Sequence, residues 1–347
     1  MISADIASID KLVLHKVGNK TEDEGVKLSK APLLTDDAIN HLLLKYFFSP
    51  FKDEEYYQFY HETGLEMHEM FQYSSNIFED PDCLYEQSVH IAKHLYARSN
   101  HPKIKSGELY VCYIQDCILD GETVDAIGIF KSESKETYLK VNPQVEGFEI
   151  RKEDGINIKK LDKGCLIFNI EAEDGYVVAQ VDNLSKQNEA RYWCEDFLQI
   201  QQRVNSFYQT RNTLDMCKEY VTEKLPKDFE VSMLDRSDML NKSAKFFKEK
   251  ESFDMGEFAE EVLQQPEVVE SFNNYRSQFA EQNEVELSDQ FDISNNAVKK
   301  QARFFKSVIK LDKNFHIYVH GNRDFIDRGY DESRGMHYYQ LFFNEEN

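Results

Sequence analysis

Between Asn296 and Arg323 the chain gathers Lys299, Lys300, Arg303, Lys306, Lys310, Lys313 and Arg323 against one acid, Asp312. The whole chain carries a formal net charge of −22, so this segment runs against its surroundings. Fixed cations in such a background serve one of two ends. They contact a polyanion such as the phosphate backbone of DNA, or they clamp the protein's own acids. At 100° per residue, Val298, Ala302 and Phe305 fall on one stripe of a helix that begins near Ser294. Lys299, Arg303 and Lys306 fall on a second stripe, with Lys300 beside it. The spacing therefore predicts a helix with an apolar docking face and a basic face. In the strand that follows, Phe315, Ile317 and Val319 alternate with His316, Tyr318 and His320. Lysine and arginine on such a face hold phosphates without reading bases. The competing assignment is that the cations balance Glu284, Glu286, Asp289 and Asp292, or face water.

Other chemistry-bearing residues form weaker patterns. His90 and His94 stand at helical ligand spacing, but Ile91 occupies the place where a His-Glu-x-x-His motif needs its glutamate. Two ligands do not close a zinc site. Cys112 and Cys117 have no second cysteine pair, and His61-Glu62 with His68-Glu69 reads as the polar edge of an aromatic segment. The acid clusters Asp36-Asp37, Asp80 with Asp82, and Glu260-Glu261 suit helix starts and exposed faces. The chain contains no Walker A loop, no Rossmann glycine pattern and no Gly-x-Ser-x-Gly elbow. The residues therefore point to no catalytic constellation, no metal and no cofactor.

The elements that must position the basic segment are legible in outline. Ile9 to Val17 reads as a strand, and Val26 to Leu34 as a second one broken at Pro32. Thr35 is placed to cap a helix ending at Pro50, and Tyr56 to Phe71 reads as an aromatic helix. Asp80-Pro81 opens another. Asp120-Gly121 marks a hairpin between Leu109–Ile114 and Val124–Phe130. Further strands are expected at Thr137 to Val141, Phe148 to Lys152, Gly164 to Ile170 and Tyr176 to Val181. From Arg191 to about Gln282 the pattern is helical, with capping-box spacing at Asp254 and Glu257 and a helix starting at Pro266. A terminal hairpin and a last strand, His337 to Phe343, close the chain. The expected class is α+β. An N-terminal mixed domain (1–185) carries a mostly antiparallel sheet, and a C-terminal mainly helical domain (186–347) ends in a β-hairpin.

At 347 residues, with 41% hydrophobic and 13% aromatic content, the chain has material for two cores. No apolar stretch spans a membrane, and no secretory leader is visible at Met1 to Lys20. The six cysteines are scattered, as buried thiols of a reducing compartment are. These features lead us to expect a cytoplasmic protein.

Several segments, in order and spacing, resemble the 37-kDa nucleoid-associated protein family of bacteria (the NdpA family). They are Ile9-Asp10-Lys11-Leu12-Val13-Leu14-His15, the hairpin Gly107 to Lys131, and Ile156 to Lys163 with the strand after it. The run Arg191-Tyr192-Trp193-Cys194-Glu195-Asp196-Phe197-Leu198 follows, then Phe304 to Asp312 leading into Phe315 to Val319. The resemblance implies association with the nucleoid, no established catalytic residue and no known cofactor. Gln199 departs from it at a position where a small residue is expected, which bears on local packing. Three functions follow in order of preference. The first is direct, sequence-independent DNA contact through Lys299, Lys300, Arg303, Lys306, Lys310 and Lys313. The second is an acidic adaptor that recruits or regulates DNA-acting proteins. The third is a metal-dependent enzyme on nucleic acid. A homodimer would suit an architectural role, because bivalence strengthens attachment.

Overall fold

A computed structural model describes residues 1–52, 54–184, 191–301, 307–311, 315–319 and 325–345, with only the backbone of residues 191, 307–310 and 319. The chain divides into two compact units, Met1–Arg203 and Val204–Asn347.

The first unit is built on an antiparallel sheet. Its strands are β1 (Ile2–Ser3), β2 (Ser8–Val17), β3 (Val26–Lys27), β4 (Tyr56–Phe59), β5 (Gly107–Leu119) and β6 (Glu122–Ser132). A separate two-stranded ribbon follows, β7 (Glu136–Gln144) and β8 (Gly147–Gly155). The sheet then resumes with β9 (Lys163–Phe168), β10 (Val177–Asp182) and β11 (Ile200–Gln202). Its order is β11-β4-β10-β9-β6-β5-β2-β3, and β1 also pairs with β5. The long β5–β6 hairpin turns at Asp120-Gly121, where both residues take positive φ (51° and 95°), as a tight turn in a right-twisted ribbon demands.

Both faces of this sheet are covered. Val13, Val111, Ile127, Ile129, Ile167 and Val178 point to one side. There they meet α2 (Glu69–Glu79), α3 (Leu84–Arg98) and the aromatic turn containing Trp193 and Phe197. Leu12, Cys112, Ala126, Phe130, Leu166 and Phe168 point to the other, toward α1 (Asp37–Phe48). Phe47 of α1 stacks on Phe130 with ring centroids 4.0 Å apart. Double coverage explains why these strands read as continuous apolar runs rather than as alternating ones. Gly128 is required at the centre. A Cβ there would lie 2.4 Å from the Phe130 ring and 2.8 Å from Cys112 Sγ.

Three expectations shift. Tyr56 to Phe71 is not one helix. Tyr56–Phe59 pairs with β10 and β11, and helix α2 begins only at Glu69. Aromatic residues favour a half-buried pleat, and Gly64 at φ 117° interrupts the chain between them. The cap of α1 is Asp36 rather than Thr35, with its carboxylate accepting the Ile39 N–H at 2.8 Å. The second strand shrinks to Val26–Lys27.

The second unit is mainly helical. It contains α4 (Ser206–Glu219), continued through a π turn into α5 (Leu225–Asp228), then α6 (Met233–Glu249), α7 (Met255–Phe258), α8 (Pro266–Asn283) and α9 (Asn295–Gln301). Two short strands, β12 (Ser252–Asp254) and β13 (Gln290–Asp292), pair between them. The aromatic core joins Tyr220, Phe246, Phe247, Phe253, Phe258 and Phe272. The chain closes in two hairpins, β14 (Ser307–Leu311) with β15 (Phe315–Val319) and β16 (Ile326–Asp331) with β17 (Met336–Leu341). The last strand thus has a partner of its own. Leu311, Ile317, Ile326 and Tyr339 pack against Leu234 at the start of α6.

Candidate nucleic-acid interface

Helix α9 starts where Ser294 Oγ accepts the Ala297 N–H at 3.3 Å. Ser294 is itself fixed, its N–H donating to Thr210 Oγ1 of α4 at 2.9 Å. Ala297 and Gln301, one turn apart, are buried. Gln301 Nε2 donates to Asp215 Oδ1 of α4 at 2.9 Å, and burial raises the pKa of Asp215. Val298 packs at the edge of the core. The docking stripe therefore runs through Ala297, Val298 and Gln301, and it is partly polar. Both lysines are exposed; Lys299 sits on the opposite side, while Lys300, three residues on from Ala297, lies at the flank of the docked face.

Lys299 pairs with no carboxylate among the described residues. Lys300 Nζ lies 5.6 Å from the centroid of the Phe207 ring, a cation–π contact. Of the acids proposed as internal partners, Asp289 is engaged by Arg276. Lys310 stands opposite His316 in the β14–β15 register. Arg303, Lys306, Lys313 and Arg323 lie outside the described residues, as do Ala302, Phe305 and His320. On β15, Ile317 turns inward, while Phe315, His316 and Tyr318 are exposed. The structure thus brings Lys299 and Lys300 together on one surface, with the rest of the basic run undescribed in side-chain detail.

The remaining candidates are committed elsewhere. His94 is buried, with Nε2 donating to the Phe197 carbonyl at 3.1 Å and Nδ1 3.0 Å from Glu69 Oε2. Burial lowers its pKa, with the Glu69 carboxylate opposing. Both ring nitrogens are occupied, so it is not free to bind a metal. His90 is exposed and stacks on Tyr73. His68 caps α2 by accepting the Phe71 N–H at 3.0 Å, and its other nitrogen donates to the Gln199 carbonyl at 3.0 Å. Asp80 caps the turn ahead of α3, and Asp82 pairs with Lys11 at 2.9 Å. Among the described residues no three His, Cys, Asp or Glu side chains gather as metal ligands.

Sequence reading missed a buried charge network in the first unit. Lys131 of β6 and Lys163 of β9 stand directly opposite each other in the ladder. Each has its own acid. Lys131 Nζ meets Glu133 Oε1 at 2.9 Å, and Lys163 Nζ meets Asp182 Oδ2 at 2.6 Å. Lys131 also donates to the Lys105 carbonyl at 2.8 Å, and Tyr192 Oη donates to Glu133 at 3.2 Å. The Lys131 side chain is fully buried, and burial lowers its pKa. Two lysines at the ends of otherwise apolar strands were the signal available in the sequence.

The chemistry on view is a pair of exposed cations on a docked helix, the kind of feature a binding protein presents. Over residues 13–334 the chain matches the family described as nucleoid-associated protein YejK. It belongs to that family, the 37-kDa nucleoid-associated proteins. No curated protein matches the chain. No helix among the described residues is long and apolar enough to cross a membrane.

Proposed function

We propose that this chain works at the nucleoid by contacting chromosomal DNA directly, without sequence preference, through the basic run Lys299, Lys300, Arg303, Lys306, Lys310 and Lys313. Family membership supports the nucleoid role. The observation that carries the contact is the orientation of α9. Its buried side is held by Ala297 and Gln301, and Lys299 and Lys300 face solvent. Cations presented this way engage phosphates and release counterions. About four such contacts give a log–log salt slope near −3.6. The test is fluorescence anisotropy of a labelled random duplex from low to physiological salt, comparing the natural chain with Lys299→Glu/Lys300→Glu/Arg303→Glu/Lys306→Glu. Salt-sensitive binding that the folded variant loses supports the reading. Binding indifferent to the charge reversal removes it.

The net charge of −22 favours a second reading, an acidic adaptor that meets the basic surfaces of DNA-acting proteins. A pulldown whose partners survive nuclease treatment, from a chain that does not bind duplex, would select it.

A further inference from the structure

The β7–β8 ribbon stands apart from the sheet and contributes no side chain to either core of its unit. Its register sorts the residues into two unlike faces. On one face the polar groups close on one another. Tyr138 Oη donates to Glu153 at 2.9 Å, Lys140 lies 3.5 Å from the same carboxylate, and Arg151 Nε meets Glu149 at 2.7 Å. Gln144 reaches Glu149 at 3.2 Å. The other face carries Leu139, Val141, Pro143, Phe148 and Ile150, with Val145 at the tip. Leu139 is 69% exposed, Phe148 77% and Ile150 64%. A two-stranded ribbon is marginal in water by itself, and this one shows water its apolar side.

We propose that this apolar face is the contact between two copies of the chain, the ribbons stacking face to face about a two-fold axis. Composition argues against two other occupants. The ribbon carries the acids Glu136, Glu146, Glu149, Glu153 and Asp154 against Lys140, Arg151 and Lys152, so DNA and anionic lipid are repelled. Area supports a second copy. At about 100 Å² for each exposed apolar side chain, two facing ribbons bury roughly 1,000–1,200 Å² in all, enough for a weak specific dimer. Charge complementarity gives the register. A two-fold operator makes the contact isologous, and one whose axis runs across the strands sets the tip of one ribbon over the base of the other. Glu146 at the tip then meets Lys152 near the partner's base. Glu146 has no cation partner among the described residues, and Lys152 reaches only Asp154, at 4.0 Å. Within one ribbon, Glu146 and Lys152 are about 20 Å apart at the rise of a strand, so they pair only between chains.

Sedimentation equilibrium of the full chain, from low to high micromolar concentration, tests this. The natural chain is expected to show a monomer–dimer equilibrium. Val141→Lys/Ile150→Lys should be monomeric with an unchanged circular dichroism spectrum, and Asn142→Lys on the closed face should still dimerise. Lys152→Glu and Glu146→Lys should each weaken the dimer about tenfold, and the double charge swap should restore it. A natural chain that stays monomeric overturns the proposal and leaves the face to a different protein. A dimer indifferent to Val141 and Ile150, or a swap without rescue, overturns it equally.

Discussion

Glu133→Gln tests whether the buried lysine network holds the first unit together. Glutamine keeps the shape of the side chain and an oxygen for the Lys131 ammonium and the Tyr192 hydroxyl, so the change removes little besides charge. That charge opposes the effect of burial and of Lys163, which stands opposite in the ladder, on the Lys131 ammonium. At the 2.9 Å separation of Lys131 and Glu133, with an effective dielectric of about 20, the pair attraction is about 6 kcal/mol. Relaxation returns part of it, and removing one partner of a buried pair typically costs about 3–5 kcal/mol. The single tryptophan, Trp193, adjoins Tyr192 and is fully buried in the same unit. Its fluorescence therefore follows that unit in a urea titration. With a slope of about 2 kcal/mol per molar urea, the midpoint should fall by roughly 1.5–2.5 M. Lys131→Met combined with Glu133→Gln should lose less than Glu133→Gln alone, because no uncompensated ammonium remains at position 131. A shift below about 0.3 M (under about 0.6 kcal/mol at that slope) would refute the reasoning and mean that water reaches Lys131.

Two further outcomes follow from the same unit. His15 and His68 both accept a backbone N–H at Nδ1, from Ser29 and Phe71, and burial lowers both pKa values below 6.5. Below pH 6.5 the unfolded chain takes up protons that the fold refuses. Stability should therefore fall as pH drops through the lowered values, by up to about 2.7 kcal/mol per pH unit for two sites. Relief of acidic self-repulsion acts in the other direction, so a Trp193 urea midpoint that rises between pH 7.5 and 5.5 would count against the neutral histidines. Gln199 sits at φ 49°, in the left-handed region that costs an L side chain about 1–2 kcal/mol. Gln199→Gly should raise thermal stability by up to about 1 kcal/mol after its added chain entropy. An unchanged or lowered Tm would show that the Gln199 side chain makes good the strain.

How far the fold could be read from the residues depended on whether the signal was local. Asp120-Gly121 announced its hairpin because the turn itself dictates the residue types. Pro266 announced α8 for the same kind of reason. Tyr56–Phe59 misled because four residues between aromatic neighbours carry no period, and their strand exists only through pairing with β10 and β11. The partner of the last strand, Ile326–Asp331, was missed for a related reason. Its mixed Ile-Asp-Arg-Gly-Tyr-Asp run has no clean alternation, and its order comes from the β17 register and from Ile326 packing against Leu234. The left-handed backbone at Gln199 was likewise not revealed by residue types alone. Its carbonyl serves His68 from a left-handed turn.

Charge marked the basic helix in the sequence, and the apolar period found Val298 but not the other described docking residues. Helical spacing alone assigned the docking stripe to Val298, Ala302 and Phe305, because it counts apolar residues. The structure docks α9 through Ala297, Val298 and Gln301, whose amide is satisfied by Asp215, while Ala302 and Phe305 lie outside the described residues. A polar residue at a buried position is invisible to an apolar period, and only its partner on α4 reveals it. The contribution of Ala297 and Gln301 matters for function. With Ala297 and Gln301 holding the helix, Lys299 lies on its exposed side, so reversing its charge changes the surface and leaves the core intact, whereas Lys300 also contacts the buried Phe207 ring. Loss of DNA binding in that variant would then report lost phosphate contact rather than a lost fold. The same logic governs the β7–β8 ribbon of the first unit. Because Leu139, Val141, Phe148 and Ile150 support no core, their substitution reads out association alone. If both tests succeed, a dimer joined through acidic, apolar ribbons would carry two basic helices. Its avidity for a continuous polyanion would exceed that of either helix, provided the two can engage at once.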